Sequence, residues 1–248
     1  MQKISIFWFR RDLRLEDNKG LSEALKADEK VIPIFIFDKD ILDLLEDKYD
    51  RRVDYIHQAL EKINQELKEF GSSLLTFHGK PLDVFKQLEK DFEIKSVFCN
   101  RDYEPSAIKR DDKVKDFLDS KKIDFFDFKD QVIFEKHEVA KDNGEPYTVY
   151  TPYSKKWKKL LTEEDYNSVK INKDQFQKLP SKKTLRLKEI GFEKTDFDFE
   201  EPSLESKIID VYDKTYSGFV DDLEDIQEVI FILNNYGGQD LNEFLNDL

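Results

Sequence analysis

KISIFWFRRDLR, residues 3–14, is the stretch whose reading decides the fold. Its first half is almost continuously apolar and rich in β-branched and aromatic side chains. That suits a strand covered on both faces, as in a parallel sheet, better than a strand with one wet face. The run stops at Arg10-Arg11-Asp12, which puts a dense cluster of charge at the strand's carboxyl end. Open α/β sheets bind ligands at that end, above all where strand order reverses. Arginines in loops are most often simply solvated, so this cluster alone assigns no site.

Outward from that strand the pattern repeats. Residues 18–27 read as a short helix and 31–37 (VIPIFIF) as a second buried strand, stopped by Asp38. Pro33 removes one ladder donor from it. Over 51–70, Val53, Ile56, Leu60, Ile63, Leu67 and Phe70 recur at steps of three and four, one face of a long amphipathic helix with Gly71 as its stop. Further strands are expected at 73–77, 96–99 and 123–128, and helices at 81–88 and 108–118. Strand and helix alternating at this spacing mean parallel βαβ units with right-handed crossovers. The expected fold is a Rossmann-like, doubly wound sheet of five parallel strands in the order 3-2-1-4-5. That order would line one crevice with Arg10-Arg11-Asp12, with Asp38, and with Asn100-Arg101-Asp102-Tyr103-Glu104.

Composition bounds the rest. The 248 residues can bury a sizeable core, and 13% aromatic residues, 21 of them Phe, favour a packed chain over disorder. No apolar run is long enough to span a bilayer and no leader precedes the first strand, so the chain reads as cytoplasmic, with no membrane partner. One cysteine excludes an intramolecular disulfide, and three scattered histidines show no metal-ligand spacing. His57 falls on the exposed side of the long helix by the spacing above, and His78 follows a strand. Of the net charge of −13, residues 201–248 carry −10, from 12 acids and 2 bases. A near-neutral body with an acidic end lacks the broad basic footprint of autonomous DNA binding, so none is expected of this chain alone.

The crevice also lacks parts. No G-x-G-x-x-G follows the first strand, no phosphate loop occurs, and Gly79-Lys80 is a lone pair ahead of Pro81. No serine, cysteine or histidine sits in a recognisable nucleophile–base arrangement, so no catalytic residue is assigned. Beyond the sheet, 146–153 (PYTVYTPY) reads as an extended connector bracketed by prolines, followed by a helix at 154–161.

Taken together, WFRRDLRLEDN (8–18), FDKDIL (37–42), NRDYEPSAIKRD (100–111) and GEPYTVYTPYSKKW (144–157) closely resemble the DNA photolyase/cryptochrome family. The likeness is greatest to the microbial class I enzymes, deoxyribodipyrimidine photo-lyases that repair cyclobutane pyrimidine dimers, and it covers roughly the first 215 residues. It implies an α/β antenna domain over 1–130, an interdomain connector over 131–205, and over 206–248 a truncated, acidic, helical start of the flavin domain. In the family the helical domain holds FAD, the damaged DNA and the catalytic residues, so FAD is expected only in that missing part. Whether a separate chain supplies it, and whether the break is natural, stays open.

For the region present, the resemblance implies a second, light-harvesting chromophore: a folate, a deazaflavin or flavin mononucleotide. Carried over by motif, its lining is Arg11 and Asp12 after the first strand, Phe37 and Asp38 after the second, and Asn100, Asp102 and Glu104 after the fourth. Carboxylates accept from ring N–H groups, Arg11 donates to a carbonyl or phosphate, and Phe37 offers an apolar face. The alternative is a nucleotide- or flavin-binding electron-transfer module, or a partner-docking module, on the same fold.

Overall fold

The computed structural model describes residues 3–196. An amphipathic helix expected over 220–234 from Leu223, Ile226, Val229, Ile230 and Leu233 lies outside the described residues. Residues 3–128 with 169–196 form one compact unit, and residues 129–168 belong to a second.

The first unit is built on five parallel strands: β1 (Ile4–Phe9), β2 (Lys30–Asp38), β3 (Leu75–Gly79), β4 (Ile94–Asn100) and β5 (Asp124–Phe128). Their order is β3-β2-β1-β4-β5, as expected, so β1 is central and the order reverses between β1 and β4. Helices α1 (Lys19–Ala24), α2 (Lys39–Leu42), α3 (Arg51–Glu69), α4 (Pro81–Asp91) and α5 (Pro105–Ser120) fill the connections.

The period-2 alternation of strand side chains divides the core into two layers. On one face, Phe7, Phe9, Phe35, Phe37 and Phe98 pack with Leu21 of α1 and with Leu60, Ile63 and Leu67 of α3. On the other, Ile6, Trp8, Ile34, Ile36, Val97 and Cys99 pack with Phe85 and Leu88 of α4 and Val114 and Leu118 of α5. Every residue of β1 is buried, which is why its sequence shows a continuous apolar run and no alternation. Burying a side chain such as Phe7 or Phe9 contributes about 1.5–3 kcal/mol. The Phe7 and Phe9 rings meet edge to face at 4.7 Å.

Local signals set the helix ends. Asn18 accepts from the Leu21 N–H at 3.0 Å and caps α1. Asp50 does the same for the Arg52 N–H of α3 at 2.9 Å. Pro81 and Pro105 open α4 and α5, where a missing N–H costs nothing. Gly71, at φ +70°, takes the left-handed conformation that stops α3. Pro33 is tolerated although β2 lies inside the sheet, because pairing of β2 with β3 begins only at Ile34.

Three local expectations need correction. β3 starts at Leu75, two residues late, and just ahead of it the Leu74 N–H is taken by Asn64 Oδ1 instead of the ladder. In the second unit, α6 (Tyr150–Leu160) begins inside the stretch expected to be extended, and α7 (Glu163–Tyr166) follows it. Pro152 falls in the first turn of α6, where helical N–H groups have no intrahelical acceptor, so the proline does not break the helix. His57 is buried, not exposed, and its Nε2 donates to the Leu185 carbonyl at 2.9 Å. Residues 169–196 return to cover the polar side of α3, a long-range event that helical periodicity cannot show. Among the described residues, no helix is long and apolar enough to cross a membrane.

Candidate functional site

The carboxyl ends of β1, β2 and β4 carry all seven residues expected to line a chromophore, but they fall to two sides: strand alternation parts Phe37 from Asp38, and the bend after β1 and the loop after β4 part the others. Asp12 and Asn100 turn towards α1 and are spent on each other. Asp12 Oδ2 accepts from Asn100 Nδ2 at 2.6 Å and from Asn18 Nδ2 at 3.0 Å, while Asp12 Oδ1 accepts from the Arg10 N–H at 2.9 Å. Asn100 Nδ2 also donates to Asn18 Oδ1 at 2.8 Å, and Asn100 Oδ1 accepts from the Gly20 N–H at 2.8 Å. All three side chains are buried. This triad ties the β1 turn, the start of α1 and the end of β4 together. Phe37 belongs to the same side, buried in the core with its ring 4.9 Å from that of Phe35.

The other four converge on the α5 side. Arg11 is ion-paired with Glu104, and its Nε stands 3.6 Å from Asp102 Oδ2. Asp102 is buried and accepts from the Glu104 N–H at 3.3 Å. Asp38 caps α2 through the Asp40 N–H at 3.0 Å. Burial raises its carboxyl above the ordinary range, against the opposing pull of the Asp40 N–H and of the Arg110 charge.

Arg110, from the second turn of α5, links these groups, because it acts on Asp38 while its Nη2 lies 3.9 Å from Asp102 Oδ2 and 2.9 Å from Asp111 Oδ1. Arg10 and Arg110 both stand over the Trp8 ring, with Cζ 5.2 and 5.1 Å from its centroid. Arg10 Nη1 bonds Asp111, but Arg10 Nε and Nη2 are buried with no hydrogen-bond acceptor among the described residues. Arg110 Nη2 is likewise buried without a well-directed hydrogen bond, although the Asp111 carboxylate is within ion-pair range.

Burial works against the Arg10 charge, but Asp111, through its charge and its hydrogen bond, with Asp12, outweighs it and holds the guanidinium charged. Burial also pushes the Cys99 thiol up to about 12, so it is neutral at ordinary pH and Asp111 is the partner that matters. Sequence reading passed over Arg110, Asp111 and Trp8 as site residues. All three lie inside the motif stretches 8–18 and 100–111, but no spacing in the sequence shows that Arg110 turns back over Trp8. Among the described residues, no three His, Cys, Asp or Glu side chains are grouped to hold a metal.

A doubly wound parallel sheet with charged side chains gathered at its switch point is the arrangement in which open α/β domains take ligands. The family model for DNA photolyase matches residues 5–172, and the chain belongs to that family. A deoxyribodipyrimidine photo-lyase from a Synechococcus strain is 34% identical over 152 residues, covering 61% of this chain and 31% of the relative. The crystal structure of a class III photolyase from Agrobacterium tumefaciens aligns with a TM-score of 0.65 and 24% identity, over 76% of this chain and 38% of that one. An archaeal photolyase from Sulfolobus tokodaii, solved with two FAD molecules and discussed as implying a novel light-harvesting cofactor, aligns with a TM-score of 0.55 and 27% identity. That alignment covers 67% of this chain and 36% of the archaeal one. The chain spans about a third of the length of the curated photo-lyases it matches. A second family model, for phage portal proteins of the SPP1 Gp6-like type, matches residues 125–247, overlapping the first over 125–172.

Proposed function

We propose that this chain is the light-harvesting part of a photolyase-type DNA repair protein, with a chromophore held at the carboxyl edge of the sheet on the α5 side. The observation that carries the proposal is the cluster of Arg11, Asp38, Asp102 and Glu104, joined by Arg10 and Arg110 over Trp8. It combines carboxylate acceptors with guanidinium donors, two of whose buried nitrogens on Arg10 have no acceptor among the described residues. Leaving such donors unsatisfied costs about 1–3 kcal/mol each, which a carbonyl or phosphate oxygen would recover. A deazaflavin or flavin mononucleotide offers such oxygens together with ring N–H groups for Asp38 and Asp102, and a folate offers N–H groups. Asp12, Asn100 and Phe37 support this edge from the far side of the sheet.

Bound there, the pigment would supply light absorption, with excitation passing to an FAD held elsewhere. The chain's own residues bind and orient the pigment and exclude water from its polar edge. Dimer repair is not assigned to this chain acting alone, and neither is DNA binding. The partner that fits is a flavin-binding domain, whether continuous in the gene or supplied by a separate chain.

The test is a titration of the purified protein with a folate, a deazaflavin and flavin mononucleotide, followed by absorbance and by tryptophan fluorescence. One of the three should bind at one site per chain, and Glu104→Gln should weaken it by about 1–3 kcal/mol. Failure of all three to bind overturns the proposal.

The portal match supports a second reading for the acidic end. Residues 206–248 would then be portal-type sequence joined to an antenna domain, in place of the start of a flavin domain. Reading the gene beyond the codon for Leu248 distinguishes them: a flavin-domain frame there favours the first origin, and a portal frame the second.

A further inference from the structure

After the excursion of residues 129–168, the chain comes back to the α/β body at Val169 and stays on it through Thr195. The body holds this returning segment largely by its backbone. Asp17 Oδ1 accepts from the Val169 N–H at 2.8 Å, and Ser22 Oγ donates to the Lys170 carbonyl at 3.2 Å. Phe176 forms a parallel bridge with Val31, and the Gln177 N–H donates to the Val31 carbonyl at 2.8 Å. The segment thereby fills the edge of β2 ahead of the point where β3 takes over.

Further on, Ser73 Oγ donates to the Pro180 carbonyl at 3.1 Å and accepts from the Lys182 N–H at 3.0 Å. Asn64 Nδ2 donates to the Lys182 carbonyl at 2.8 Å, while Asn64 Oδ1 accepts from the Leu74 N–H at 2.9 Å. Leu185 is held at both ends, its N–H by Thr76 Oγ1 at 2.8 Å and its carbonyl by His57 Nε2 at 2.9 Å. Asp54 Oδ2 closes the series by accepting from both the N–H and the hydroxyl of Thr195 at 2.7 Å.

Only a few strap side chains enter the body. Phe176, Leu187, Ile190 and Phe192 are buried in the layer shared with α3. Lys182, Lys183 and Lys188 are exposed. Backbone taken by fixed polar side chains, with apolar anchors at intervals, is how proteins bind an extended peptide. The side of α3 that carries Asp54, His57 and Asn64 is therefore built as a peptide groove.

We propose that residues 169–196 are a peptide ligand in cis: a strap that the groove of α3, β2 and β3 would hold without a covalent link to the rest of the chain. The boundary of the α/β domain then runs to the end of the strap and not to the end of β5.

The experiment uses the full chain with a specific protease site inserted between the exposed Asn167 and Ser168. After cleavage, the two pieces should co-elute in gel filtration. Asn64→Ala and Phe176→Ala, each made in the cleavable chain, should speed dissociation of the pieces tenfold or more. Asp54→Asn, a milder change at the outer end, should do so by a smaller factor and serves should either of the others fail to fold. Separation of the unsubstituted pieces without denaturant overturns the proposal. So does co-elution that none of the three substitutions weakens, since the pieces would then be held by something other than the strap.

Discussion

Gly20 lies against Asn100. Its N–H donates to Asn100 Oδ1 at 2.8 Å, and a Cβ on residue 20 would stand 2.5 Å from that oxygen and 3.1 Å from the Cys99 carbonyl. The closeness is what lets the first turn of α1 sit on the end of β4. In most helices glycine to alanine is stabilising by close to 1 kcal/mol. Here the sign reverses: Gly20→Ala should destabilise by about 1–3 kcal/mol through overpacking of a buried polar contact. Urea unfolding followed by tryptophan fluorescence measures it, and an unchanged or raised midpoint would contradict the geometry.

Asp12 is the hub of the same junction, since it accepts from the Arg10 N–H and from the side chains of Asn18 and Asn100. Asp12→Ala removes an acceptor from all three, leaving the Arg10 N–H and one N–H of Asn100 without it while Asn18 keeps the backbone carbonyls of residues 12 and 14, and should cost about 2–3 kcal/mol. Its expected signature is lost stability with or without pigment. A variant that folds with wild-type stability but no longer binds pigment would instead place Asp12 in the binding surface.

Asp38 and Arg110 carry a pH prediction. Burial raises the Asp38 carboxyl, so it takes up a proton as pH falls towards the ordinary carboxylate range, ahead of a solvated aspartate. A protonated Asp38 no longer accepts from a ring N–H as a carboxylate, so pigment affinity should fall over that window. Asp38→Asn should flatten the profile. Arg110→Gln removes a charge that opposes the rise, so the midpoint should move to higher pH while affinity drops by about 1–3 kcal/mol. Titrations at a series of pH values read both effects.

The two ends of the strap respond to acid with opposite signs. At Asp54, burial raises the carboxyl, but the hydroxyl and N–H of Thr195 and the amide of Gln58 outweigh it, so the net shift is downward. Its folded value lies below its unfolded value, so its contribution is present above the unfolded value and is lost as pH falls through the folded one. At Asp17, burial dominates and raises the carboxyl, against the Val169 N–H and Arg14. That contribution is full below the unfolded value and is lost as pH rises through the folded one. Asp17 also has φ +49°, a conformation asparagine adopts readily, and its side chain needs only to accept. Asp17→Asn should therefore stabilise the protein at neutral pH by a few tenths of a kcal/mol, the scale of a half-exposed charge. Asp54→Asn should destabilise it by about 1–3 kcal/mol. Thermal melts at neutral and acid pH decide between these outcomes.

The sequence by itself determined the sheet. Continuous apolar runs in β1 and β2, the three-and-four spacing of α3 and the strand–helix alternation are local signals, and they were sufficient for five parallel strands; their order came from the analogy with Rossmann-like sheets and is the one found. The motif set, including WFRRDLR, was sufficient for the family. Only the tertiary structure decided which of the charged residues at the strand ends meet. Phe37 and Asp38 face opposite sides of the sheet, and Arg11 and Asp12 are parted by the bend that follows β1, so a motif that names them together does not say they share a surface. It also took the fold to bring Arg110 over Trp8 and to bury His57, Asn64 and Asp54 beneath a segment more than a hundred residues away. Periodicity reports only the apolar face of a helix, whereas polar groups are buried wherever distant backbone arrives to satisfy them.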